Sequence, residues 1–274
     1  MRPQRDAGTG RMMSHRSSYV SSGLLCALVL GLLVNAAPRR SWAAGEGDFL
    51  AGKSKSCPGC SLSRAPLKRR DLSDADLSGA DLSGAVLHRA RLTRAKLTGA
   101  DLTNANLNKT DLKNASLAQA KLQGAMFYEA DMSVADLTGA DLSDGKLGHA
   151  RLVRATLDRA RITAAVLTEA HLDEASLRGA DLSASNLVSA TLRGANLEGA
   201  DLNNAGLVEA VLRDANLKGA NLKEADLFGA DLSGANLAGA DLSDARLTRA
   251  ILTGAILAGA KLSGTLMPDG SVHE

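Results

Sequence analysis

Ala80-Asp81-Leu82-Ser83-Gly84 and Ala235-Asn236-Leu237-Ala238-Gly239 are two copies of the five-residue unit that fills residues 71–265. Leu, or a rare Ile, Met or Phe, takes every position ending in 2 or 7 from Leu72 to Leu262, which makes 39 consecutive units without insertion or deletion. With Leu as position i, Ala is i−2, Asp or Asn is i−1, and two small or polar residues are i+1 and i+2. In an extended chain i−2 and i face one way while i−1 and i+1 face the other. Two polar residues in succession then break the alternation, as a corner requires. A helix fails the same test, because five residues advance it by about 500° and the leucines would spread around it.

A longer period lies above the period of five. With the units sorted into four columns, Gly at i+2 concentrates in the second, at 79, 99, 139, 179, 199, 219, 239 and 259. Four sides and four corners therefore make one coil of twenty residues, and one corner is expected to need a residue that tolerates φ > 0. Over residues 60–267 the chain resembles the pentapeptide-repeat family, whose motif is A(D/N)LXX. The resemblance implies an all-β fold, a right-handed quadrilateral parallel β-helix of about ten coils, and the hand agrees with the rule for parallel crossovers. Phe127 and Met132 replace Leu on successive sides and read as core residues filling a wider stretch of interior. Thr110, Gly145 and Ser185 depart from Ala at i−2.

Composition agrees with a solenoid. A chain of 274 residues with 2% aromatic content has no ordinary aromatic core, and its apolar residues are mostly Leu and Ala. Residues 1–43 read as a signal peptide: a basic stretch, the apolar run Gly23–Val34, then small residues up to a cleavage site after Ala43. Met12 or Met13 is an alternative start. Cys26 follows Leu25 and does not fit a lipidation site. The expected location is periplasmic or secreted, with an uncleaved membrane anchor as the alternative and no membrane span in the mature chain. Residues 44–59 form a lead-in or cap, 60–267 the β-helix and 268–274 a tail containing the Pro268-Asp269-Gly270 turn signal. Cys60 occupies an Ala position and reads first as a small buried residue. A Cys57–Cys60 disulfide is the alternative in an oxidising compartment.

The outer faces decide function. The formal charge of +2 becomes −3 once residues 1–43, with six arginines and one acid, are set aside. Such a balance points to neither nucleic-acid binding nor imitation of a polyanion. Asp residues at i−1 read as caps bonded to local backbone, not as a catalytic pair. The histidines at 88, 149, 171 and 273 are scattered and suggest no metal site. No cofactor, phosphate loop or nucleophile elbow is apparent, and an enzyme is not expected. The fourth column is the exception among the faces: Met126 at i−1 and Tyr128, Val188, Val208 and Phe228 at i+1 form a candidate partner-binding ridge. Ile251 and Ile256 face outward on the last full coil, so either the tail covers them or a second copy meets them in a homodimer through the solenoid ends. The expected role is a non-catalytic exported scaffold that binds a protein or envelope component. The alternative, implied by the family's quinolone-resistance members, is a topoisomerase-binding DNA mimic.

Overall fold

The computed structural model describes residues 44–274; the expected leader, its cleavage site after Ala43 and Cys26 lie outside them. Every fifth residue forms a parallel bridge with the residue twenty positions on, from Ser56↔Asp76 to Arg246↔Leu266. The twenty-residue coil is thus the repeat of a right-handed, four-sided parallel β-helix. We number its sides one to four by the series beginning at Leu72, Leu77, Leu82 and Leu87. The first bridged unit starts at Ser56, ahead of the expected boundary at 60, because Cys57 fills the Leu slot and is buried.

The unit from Asp81 to Ala85 shows where the backbone donors go. Asp81 N–H donates to the Cys60 carbonyl of the coil below (2.8 Å). Leu82 N–H and Gly84 N–H donate to Asp101 and Thr103 of the coil above (2.7 and 2.8 Å), and Ala85 N–H closes the turn on Leu82 (2.9 Å). The fifth donor, Ser83 N–H, bonds to the side-chain oxygen of Asp81 (2.9 Å). This accounts for Asp or Asn at i−1: an unpaired N–H is costly, and a short side-chain oxygen at that spacing satisfies the one donor the ladder leaves over. Ser and Thr at i+1 add a hydroxyl bond to the same oxygen, as Ser143 does to Asp141 (2.6 Å). Where i−1 is not Asp or Asn, a side chain at i+1 of the coil below can substitute: Asn108 accepts from Tyr128 N–H (2.8 Å), and Asp158 and Asp173 from Arg178 and Arg193 (3.0 Å each).

The corners correct one expectation. Positive φ is not confined to the second corner. Every i+2 residue from Gly59 to Gly264 has it, including Val134 (φ 60), Ala164 (φ 53) and Arg249 (φ 62). Each corner is the same four-residue turn from Leu to Ala, with the left-handed conformation at its second central residue, as in a type II turn. Gly at the second corner therefore follows the coil period without being required by a φ unique to that corner. A methyl group added at Gly79, Gly99, Gly199, Gly219, Gly239 or Gly259 would meet no atom within 4 Å.

Inside, the Leu and Ala positions are buried along the solenoid until its last coil, and Phe127 and Met132 are fully buried. Thr110 and Ser185 stay at buried Ala positions by donating their hydroxyls to the Leu107 and Leu182 carbonyls (2.5 and 2.6 Å). The first coil is closed by α1 (Ala44–Leu50), which buries Phe49 completely. Arg70 takes an inward Ala position, and its guanidinium donates to the Leu50 and Phe49 carbonyls at the C-terminal end of α1 (2.7 and 2.9 Å), satisfying groups that a helix end leaves open. Cys57 and Cys60 are joined by a disulfide with Cα atoms 5.4 Å apart, so Cys60 is not merely a small residue at an Ala position. At the other end the tail folds back so that Leu266 pairs antiparallel with Val272. It leaves Ile251 and Ile256 about half exposed.

The left-handed conformation costs a residue with a Cβ about 1–2 kcal/mol, most of all a β-branched one. Val134→Gly is therefore expected to raise the urea midpoint, with a gain of about 1 kcal/mol after the entropy cost of Gly; an unchanged or lower midpoint would contradict this account. A second expectation concerns acid. Ser243 hydroxyl, Lys261 and Ser243 N–H hold the Asp241 carboxyl down to about 2, and the Ser78 hydroxyl and N–H lower Asp76. Groups with folded pKa values below the unfolded ones add stability above the unfolded value near 3.8, and it is lost as pH falls through the folded values. Urea midpoints should thus be level from neutral pH to about 5 and drop between about 4 and 2. Asp241→Asn, which keeps the cap oxygen, should make that drop smaller.

Candidate functional site

Many outward groups on sides one to three contact one another across stacked coils. Side one carries ion pairs between stacked coils, including Arg94–Asp74 (2.7 Å), Arg154–Glu174 (2.6 Å) and Arg213–Asp231. Side two has an amide ladder, in which Asn216 donates to Asn196 (3.1 Å) and Asn236 to Asn216 (3.4 Å). Side three stacks carboxylates, yet Lys261 lies 3.0 Å from Asp241 and the Asn221 amide donates to Asp201 (2.9 Å). Burial pushes the Asp101 and Asp141 carboxyls up, but the hydroxyls and N–H groups of Thr103 and Ser143 hold both below the usual carboxylate range. Such groups are ionised at neutral pH and engaged as caps, which suits structure and not proton transfer. Among the described residues no group of three or more His, Cys, Asp or Glu side chains is placed to hold a metal ion.

Side four differs, and the ridge expected there divides into two clusters. The first holds half-buried Met126 and exposed Tyr128. The Tyr128 ring meets His149 edge-on with centroids 5.3 Å apart, and Lys109 Nζ lies 6.0 Å from its centre. Around the ring, Lys109 pairs with Glu129 (3.1 Å) and His149 Nδ1 lies 3.3 Å from Glu169. Val86 and Val166, in the same row as Met126, are both exposed.

The second cluster is the stack of Val188, Val208 and Phe228 on consecutive coils. These outward side chains are half-buried. Arg246 and Arg249 lie over the Phe228 ring, 4.9 and 5.5 Å from its centre, and Arg246 is tied to Asp226 by bonds of 2.7 and 2.5 Å. The face therefore presents apolar surface, two aromatic rings and cations held against them, with Glu129, Glu169 and Asp226 each beside a basic partner. The arginine cover was readable only from the coil register, since residues twenty apart become neighbours.

The family model described as pentapeptide repeats matches residues 60–99, 95–133, 135–172, 160–199, 195–234 and 230–267. Among solved structures, HetL, a pentapeptide repeat protein involved in heterocyst differentiation regulation in the cyanobacterium Nostoc sp. strain PCC 7120, is 38% identical. That alignment covers 76% of this chain and 94% of HetL with a TM-score of 0.74. Rfr23 from the cyanobacterium Cyanothece 51142 is 38% identical over 40% of this chain and 64% of its own, with a TM-score of 0.18. A trypsin-treated form of QnrB1, a plasmid-mediated fluoroquinolone resistance protein, is 22% identical over 66% of this chain and 88% of its own, with a TM-score of 0.39. A comparison with curated proteins gave no match.

Tyr128 offers a spectroscopic check of the first cluster. Its hydrogen bond to the Glu129 carboxylate raises the phenol above its ordinary range. Ultraviolet titration should show a tyrosine ionising later than a free phenol, and Glu129→Gln should bring that transition down; identical curves would mean that the contact is not formed in solution.

Proposed function

Because the chain belongs to the pentapeptide-repeat family, we propose that it is a non-catalytic scaffold, exported to the cell envelope or beyond, which binds another protein along side four. The observation that carries this reading is the contrast between faces. Ladders between stacked coils run along sides one to three, whereas side four sets apolar and aromatic groups outward beside charged pairs such as Arg246–Asp226 and Lys109–Glu129. Aromatic residues and Arg are the side chains most enriched where binding energy concentrates at protein interfaces. Phe228, half-covered by Arg246 and Arg249, would anchor the contact, with Val188 and Val208 extending it along the axis. The likeness to HetL, a protein involved in regulation, is in keeping with binding in place of catalysis.

Export rests on the signal-like order of residues 1–43 and gains support from the Cys57–Cys60 disulfide, a bond that persists in oxidising compartments. The same reading gives the open C-terminal end a secondary role as a homodimer contact. Ile251 and Ile256 are exposed there, and the N–H groups of Leu252 and Leu257 meet no backbone carbonyl among the described residues.

Crosslinking followed by capture from the envelope of the producing cell tests the proposal. The native protein should retain a defined partner. Val188→Glu, Val208→Glu and Phe228→Glu combined should weaken that contact by about thirtyfold or more, with the circular dichroism of the solenoid unchanged. Undiminished capture by the triple variant would overturn the assignment of side four, and recovery of the chain in the cytoplasm with residues 1–43 intact would overturn export.

A further inference from the structure

The Cys57–Cys60 disulfide spans the first corner of the solenoid. The backbone there is that of an ordinary corner. Gly59 has φ 66, and Cys57 and Gly59 N–H donate to Asp76 and Ser78 of the coil above (2.8 and 2.9 Å). Cys60 N–H closes the turn on the Cys57 carbonyl (3.3 Å). The corners from Leu62 to Ala65 and from Leu77 to Ala80 form with the same bonds and no bridge. The bridge is therefore not what shapes the turn. With two residues between its ends, it closes a loop too short to restrain the unfolded chain much. The ladder that holds the corner in the oxidised chain also holds it in the dithiol, with Cα atoms 5.4 Å apart, inside the span that a disulfide needs.

The two cysteines are unequally placed. Cys57 fills the Leu slot and is 2% exposed, whereas Cys60 is half-buried between exposed Gly59 and exposed Ser61. Pro58, at the tip of the turn, is exposed as well. This is also the end coil, with α1 beneath it in place of another coil. The approach open to an incoming thiolate is thus at Cys60. The buried partner has an acceptor waiting once the bond opens. The Gly45 carbonyl of α1 lies 3.6 Å from Cys57 Sγ and can accept an S–H bond that a disulfide sulfur cannot donate. Two cysteines with two residues between them also have the spacing on which thiol–disulfide exchange runs.

We propose that Cys57–Cys60 is a thiol–disulfide exchange site whose substrate is a protein dithiol. A thiolate of the dithiol attacks Cys60 Sγ and forms an S–S bond to it. The Cys57–Cys60 bond breaks, and its electron pair leaves on Cys57 Sγ, which takes up a proton. The second thiol of the dithiol, as thiolate, then attacks the first within the mixed disulfide and expels Cys60, which is protonated in turn. The corner gains two electrons and two protons, and the dithiol is oxidised to its own disulfide. The exchange leaves Val188, Val208 and Phe228 untouched and stands independently of the side-four partner.

The test is reduction of the full chain by dithiothreitol in native buffer and in urea. Alkylation and peptide mapping then separate these two cysteines from Cys26. The bond should open in native buffer at a rate within about tenfold of that in urea, with the circular dichroism of the solenoid unchanged. Glutathione disulfide should form a mixed disulfide on Cys60 in the variant Cys57→Ala. In Cys60→Ala, which restores the usual residue of the repeat, Cys57 should react at least about tenfold more slowly. A bond that opens only in urea would be a structural bridge and would overturn the proposal. So would loss of the solenoid signal on reduction, or a mixed disulfide that forms on Cys57 as readily as on Cys60.

Discussion

The bond from each Leu N–H to the carbonyl nineteen residues ahead, such as Leu82 to Asp101 at 2.7 Å, is what the rest of this protein depends on. It repeats on all four sides, so each coil is the hydrogen-bonding template for the next. A coil that gained or lost one residue would turn its leucines outward and break every bridge above it. The uninterrupted run of units is the consequence of that constraint. The constraint also leaves one donor per unit unpaired, the N–H at i+1, and the short carboxylate or amide at i−1 exists to accept from it.

Since core and backbone are engaged throughout, individuality can reside only in outward side chains and at the ends. The ends are treated differently. The first coil is closed by α1, with Phe49 buried and Arg70 bonded to the helix carbonyls. The last coil is covered only in part by the tail that turns back on Leu266. Outward residues meet across coils at a separation of twenty, which lets charges neutralise one another on side one and lets Arg246 settle over Phe228 on side four. A surface becomes available for recognition where apolar groups remain outward, as at Val188, Val208 and Phe228 on side four.

Much of this was legible from residues alone. The Leu and Gly periods predict a four-sided coil of twenty residues, and Phe127 and Met132, at inward positions, are core. Asp and Asn are read correctly as backbone caps, because their function is local. The rest shares a cause. Gly at one corner suggests that only this corner has positive φ, whereas Val134 and Arg249 adopt the same conformation because the ladder imposes one turn on every corner. Outward placement of Val188, Val208 and Phe228 does not show that they are only half-buried. Period and face follow from chain geometry; occupancy of the space above a side chain does not.

The sequence by itself determined the architecture, since a five-residue pattern repeated without a slip allows one face inward and one coil length. It also determined the Asp and Asn caps at i−1, because each of those acts within two residues of itself. Only the tertiary structure decided that the coil begins at Ser56, that Cys57 and Cys60 are bridged and that the tail leaves Ile251 and Ile256 uncovered. It likewise decided which cations have partners. Those outcomes depend on groups twenty residues apart or at the ends of the rod, where the repeat no longer dictates what each side chain meets.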